Sequence, residues 1–261
     1  MAGEKLDATE RRFLEAIGHH LDGWRRKIAA DFGKGSYDEE LEKLVGDPVY
    51  HKFAFDCPEY VVVRLMGRMS ISVGRRLGEI YDKIPRFVAG ARFNISPEQV
   101  AEKFNGLELD IGLRYSLLNK DDRAHVASVL AKHGATPKTA GVGIEIRYNF
   151  NPNDSARLRK DVEMAKYVQA AGLLPVYLIY SAISPRDDAI GRLTRAGWIF
   201  LQGNEASDFT TELFGADFLG IMERPEVRDR IHEDVRQMMR AIFESHAFKQ
   251  VAKSQPAVKV S

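Results

Sequence analysis

The seven residues LPVYLIY at 174–180 form a near-continuous apolar run closed on both sides by turns. A run of that length is what a strand buried on both faces requires, as in a parallel sheet covered by helices. Its surroundings repeat the theme. Over 143–150, Ile144, Ile146, Tyr148 and Phe150 alternate with Glu145, Arg147 and Asn149, which reads as a strand with one polar face. Asn151-Pro152-Asn153-Asp154 then turns the chain into a helix over 154–171, capped by Asp154 or Ser155 and stopped by Gly172. The order continues as helix 185–196, strand 197–202 and helix 204–214. Such a β-α-β-α-β succession implies a largely parallel half-sheet.

The earlier part of the chain reads as helical. Leu6, Phe13, Leu14, Ile17, Leu21, Trp24 and Ile28 recur at three- and four-residue spacing and form one apolar stripe. A turn at 33–36 precedes a second short helical stretch. A long helix follows over 61–83, and its Gly67, Gly74 and Gly78 imply a closely packed neighbour, since an interior glycine weakens a helix by about 1 kcal/mol. After Pro85 the pattern changes: 86–95 is a candidate strand, Ser96-Pro97-Glu98-Gln99 opens a short capped helix, and 107–115 is a second strand. Residues 121–133 are helical by spacing, and 225–248 form a final helix. The organisation expected is a helical segment 1–58, an α/β core 59–220, a C-terminal helix 221–251 and a disordered tail 252–261.

Composition narrows the function classes. With 38 basic and 37 acidic residues the net charge is +1, so any nucleic-acid surface must be local. The single cysteine, Cys57, excludes an intrachain disulfide and a cysteine-based zinc site, and fits a reducing compartment. The 7 histidines show no ligand spacing such as HExxH, no GxSxG elbow is present, and the glycines at 141–143 precede a strand instead of following one. No segment approaches the roughly 20 apolar residues of a membrane span. The start, MAGEKLDATERRF, lacks the apolar run of a signal peptide. A cytoplasmic protein without membrane contact is expected.

Chemistry concentrates on the two polar strand faces. Alternation puts Glu145 and Arg147 side by side, and on strand 107–115 it puts Asp110 beside Gly112 and Arg114. If these strands pair, two carboxylates meet at the sheet, where their repulsion is costly unless a hard cation such as Mg²⁺ binds between them. A metal there would polarise a phosphoryl oxygen and activate water for attack on a phosphodiester. Acids on half-buried strands also serve simply as solvated or arginine-paired groups. Arg157, Arg159 and Lys160 read as a solvated helix face.

The element order helix 61–84, strands 86–95, 107–115 and 143–150, helix 154–171 and strand 174–180 resembles the αβββαβ core of the PD-(D/E)XK superfamily of nucleases. So does GVGIEIRYNFNPNDSARLRKDVEMAKYVQAAGLLPVYLIY, which looks like the segment from third to fourth strand of many type II restriction endonucleases. ISVGRRLGEIYDKI resembles the helix before their first strand, with Glu79 matching an acid sometimes found near the metals. The resemblance covers roughly residues 61–215. It implies a mixed sheet, Mg²⁺ held by Asp110 and Glu145, double-stranded DNA as substrate and a homodimer cutting a short specific sequence. It departs in two places: Arg147 stands where the family usually has lysine, and Leu109 precedes Asp110 where the family has proline. Arginine cannot act as a general base. Lys160 is the nearest lysine on the following helix that could supply the missing group. A DNA-binding module that keeps the fold without hydrolysis is the alternative reading, and a small-molecule α/β enzyme is a third.

Overall fold

The computed structural model describes residues 8–148, 155–181, 187–215 and 217–254. By its contacts the chain divides into two units, Met1–Arg76 with Glu223–Ser261, and Leu77–Met222.

The first unit opens with α1 (Ala8–Asp31), α2 (Lys34–Gly46), α3 (Pro48–Lys52) and the first half of α4 (Pro58–Phe93). The stripe Ile17, Leu21, Trp24 and Ile28 of α1 is buried, as its spacing requires. Glu40 of α2 is buried between Arg64 and Arg68, at 2.5 and 2.7 Å.

The second unit begins inside α4, and here the structure corrects the sequence. Residues 86–95 do not form a strand: α4 continues through Pro85 to Phe93. An interior proline normally costs a helix about 3 kcal/mol. Ile80, Ile84, Val88, Ala89 and Phe93, all buried, keep helical spacing across it, and their burial outweighs the lost hydrogen bond. Next comes α5 (Pro97–Val100), with the expected Ser96 cap reciprocated by Gln99. The second expected strand is split. β1 (Lys103–Phe104) and β2 (Leu107–Glu108) form a small antiparallel ladder, and β3 (Ile111–Arg114) joins the main sheet. Leu109 and Asp110 lie at the joint.

The remaining elements are α6 (Lys120–Ala131), β4 (Gly141–Arg147), α7 (Ser155–Ala170), β5 (Leu173–Ile179), α8 (Asp187–Ala196), β6 (Ile199–Gln202), α9 (Asn204–Phe214) and α10 (Phe218–Glu223). Asp154 as cap and the strand positions 149–150 lie outside the described residues. The four-stranded sheet has the order β3-β4-β5-β6, with β3 antiparallel to β4 and the other pairs parallel. The protein is thus a mixed α/β structure with a mixed sheet. Along β4, Val142, Ile144 and Ile146 point to one side, and Gly143, Glu145 and Arg147 to the side covered by α7. The α7 side holds a core of Leu158, Ala165, Val168, Tyr177, Leu193 and Trp198.

The last helical stretch, expected as one helix over 225–248, is two: α11 (Pro225–Phe243), which packs on α1, and α12 (His246–Ser254). Residues 252–254, expected in a disordered tail, continue α12. No described helix is long and apolar enough to cross a membrane.

Glycine is required where β4 begins. Gly141 has φ +145°, and a side chain there would run into the carbonyl oxygen of Leu113 on β3. Gly141→Ala is therefore expected to destabilise the protein by about 2–3 kcal/mol, the range for backbone strain with a clash. Urea denaturation checks this.

Candidate functional site

Three carboxyl groups and two guanidinium groups converge where β3 and β4 meet. The register pairs Ile111 with Ile144, and one step further sets Asp110 opposite Glu145. Strand alternation turns Glu145 and Arg147 to the α7 side. Asp161 comes from α7 itself: it lies on the apolar stripe Leu158, Ala165, Val168 that packs on the sheet, so its carboxyl is carried down onto Tyr177 of β5. Arg86 arrives from α4, on the helical turn that the sequence reads as strand. Asp110, Glu145 and Asp161 are 6, 4 and 5 % exposed.

Arg147 is the hub. Its Nη1 donates to Asp110 Oδ2 at 3.0 Å and its Nη2 to Glu145 Oε2 at 2.9 Å, with Asp161 Oδ1 3.5 Å from Nη2. The guanidinium also lies 5.7 Å from the centroid of the Tyr177 ring. Asp110 is held independently as well, by the backbone N–H of Ile146 and by Nη2 of Arg86, each at 2.7 Å. Arg86 shares its other nitrogen with the exposed Glu108. Asp161 accepts from the Tyr177 hydroxyl at 2.9 Å, and Trp198 Nε1 donates to the Asp161 carbonyl at 2.8 Å.

Arg147 and Arg86 face three carboxylates here, Arg86 is shared with Glu108, and Arg157 adds its charge near Asp161. Burial, followed by the charges of Asp110 and Asp161, pushes the Glu145 carboxyl well above the ordinary range. Burial also raises Asp161, against the pull of Arg147, the Tyr177 hydroxyl and Arg157. Asp110 goes the other way: burial acts to raise it, but Arg147, the Ile146 N–H and Arg86 together hold it below the usual value. Burial opposes the charge of Arg147, yet Tyr177 and the three acids raise its pKa still further, so it stays protonated.

Of the residues singled out from sequence, the structure brings Asp110, Glu145 and Arg147 together. Lys160 is exposed on α7, because successive helical residues point about 100° apart and its neighbour Asp161 takes the inward position. Glu79 is half-buried on α4, two turns before Arg86 and on the same face, next to Gly78, which approaches the Tyr148 ring. Asp161 and Arg86 were not anticipated. An acid interrupting the apolar stripe of α7 is the signal that points to the first.

An open groove of about 1010 Å³ lies beside the cluster, lined by Lys83, Arg86, Phe87, Lys103, Glu108 and Arg114 among others. Arg86 thus faces both the groove and Asp110. No family model, no characterised protein and no solved structure matches this chain.

Proposed function

We propose that the chain is a Mg²⁺-dependent endonuclease for double-stranded DNA, of the type II restriction kind, acting as a dimer. The observation that carries this reading is the meeting of Asp110, just before β3, with Glu145 of β4 on the guanidinium of Arg147. The succession α4, β3, β4, α7, β5 supports it as the later part of a PD-(D/E)XK core.

The donor chemistry is of the kind a hard divalent ion takes, since every acid at the site offers carboxylate oxygen. Among the described residues no group of three or more His, Cys, Asp or Glu is set to hold an ion, and Arg147 bonds both acids. Asp110 and Glu145 would hold Mg²⁺, which when bound supplies an activated water and polarises the phosphoryl oxygen. Arg86 fixes the Asp110 carboxylate from the groove side. Arg147 offers two N–H donors to the charge that builds on the phosphorus oxygens and takes no proton from water. Arg147→Lys would retain the charge and lose the two-pronged geometry.

A second reading, a DNA-binding module without hydrolysis, is favoured by the same guanidinium standing among the acids. Incubating plasmid or phage DNA with the purified protein separates the two. Discrete fragments with Mg²⁺, intact DNA in chelator, and binding without cutting in Ca²⁺ are expected of the nuclease. Saturable, salt-sensitive binding with no cutting supports the second reading. Absence of binding removes both.

A further inference from the structure

We infer that the exposed face of α4 within the first unit is where a second copy of this chain docks, antiparallel, with Gly67 of each copy on the two-fold axis. This rests on the dimer in the nuclease reading and not on its metal chemistry.

Glu59, Val63, Gly67, Ile71 and Arg75 stand four residues apart, form one ridge along α4, and are all exposed. The opposite side of the helix carries the buried Val61, Val62 and Leu65. Val63 and Ile71, 60 and 76 % exposed, are apolar side chains that the described residues leave uncovered. Gly67 between them marks a close approach from outside. A side chain added there would meet nothing within 4 Å, so the packed neighbour that its glycine implies is not supplied by the described residues of its own chain. The ridge is self-complementary about that glycine. The commonest helix packing runs the four-residue ridges of two helices along each other. With the two copies antiparallel, Val63 meets the partner's Ile71 and Glu59 comes beside the partner's Arg75, each pair occurring twice. A parallel arrangement sets like charge against like charge instead. Arg64 and Arg68, at the edge of the ridge, are already held by Glu40. A stable dimer buries about 800 Å² on each partner, more than one ridge supplies. More apolar surface is continuous with it: Phe55 stacks on Tyr60 of α4 and on Phe53, and both phenylalanines are exposed. Aromatic side chains of this kind are enriched at the centres of interfaces.

Light scattering and sedimentation of the full-length protein, without metal or DNA, test this. Wild type is expected to be a dimer, and Ile71→Glu to weaken it about thirtyfold or more, as for loss of a central apolar anchor. Arg75→Glu is expected to weaken it about fivefold, the scale of exposed ion pairs, and adding Glu59→Arg to restore it. Register is read by cross-linking in a Cys57→Ser background. Val63→Cys combined with Ile71→Cys should form intermolecular disulfides on mild oxidation. Val63→Cys alone should not, because its two copies lie about 12 Å apart along the helices. Every altered side chain on the ridge is exposed, and circular dichroism checks that each variant folds. A dimer that persists in Ile71→Glu, with no cross-link in the double cysteine variant, overturns this face while leaving the dimer to another surface. A monomeric wild type also overturns it, and discrete DNA fragments from that monomer would keep the nuclease chemistry. A dimer with the expected cross-link that cuts no DNA upholds the face and removes the nuclease reading.

Discussion

Arg147→Ala, in metal-free protein at neutral pH, is expected to lose about 3–5 kcal/mol of stability, the scale for breaking a buried ion pair by removing one partner. The loss is large because one side chain serves Asp110, Glu145 and Asp161 together, and alanine leaves all three buried with Arg86 as the guanidinium still bonded to one of them. Two controls identify the cause. A second change, Glu145→Gln, should recover part of the loss, since it removes one of the abandoned charges. Lowering the pH should shrink the difference between wild type and variant, because protonated carboxyls no longer need the guanidinium. Urea denaturation of the three proteins at pH 5 and pH 8 reads both effects. A loss under about 1 kcal/mol, the ceiling for an exposed pair, would show that Arg147 is not the hub of the cluster.

Glu145→Gln by itself is expected to push stability and chemistry in opposite directions. The folded protein holds the Glu145 proton more tightly than the unfolded chain does. Its contribution to stability is therefore complete below the unfolded value of about 4.3 and is lost as pH rises through the raised folded value. Asp110, held low, contributes in the opposite sense: its stabilisation is present above the unfolded carboxylate range and disappears as acid protonates it. Once ionised, Glu145 adds a buried negative charge beside Asp110 and Asp161, which glutamine removes. A gain on the order of 1 kcal/mol in chelator is expected, in the range where function trades against stability. In Mg²⁺ the same variant is expected to lose cleavage by on the order of a hundredfold or more, as when a preorganised electrostatic group is removed. Thermal unfolding at pH 5 and pH 8 and single-turnover cleavage measure the two halves. A variant that is both less stable at pH 8 and fully active would place the chemistry elsewhere.

The parts of this architecture that were legible in sequence are those set by local period. β4, β5 and β6 and the helices between them announce themselves through alternation, apolar runs and glycine stops. Glu145 and Arg147 follow from alternation on one strand. Arg86 was not legible because Pro85 reads as a break, whereas burial of Ile84, Val88 and Phe93 carries α4 across it. Asp161 was hidden in a charged stretch, beside Arg157, Arg159 and Lys160. Those three are exposed, and only the stripe shared with Leu158 and Val168 sets the aspartate apart. The contact of Asp110 with Glu145 needed strand pairing, which no single segment encodes.

The indole of Trp198 gives the site an optical signal of its own. The chain has 2 tryptophans, and each unit holds one: Trp24 in the helical unit and Trp198 in the sheet unit. Trp198 donates to the Asp161 carbonyl and meets the Tyr177 ring edge-on, with centroids 5.5 Å apart. In a Trp24→Phe background, fluorescence therefore comes from one fluorophore hydrogen-bonded to the backbone of an acid in the cluster. Emission changes on adding a cation or a duplex would be read next to Asp161, while the reciprocal Trp198→Phe protein follows melting of the helical unit alone.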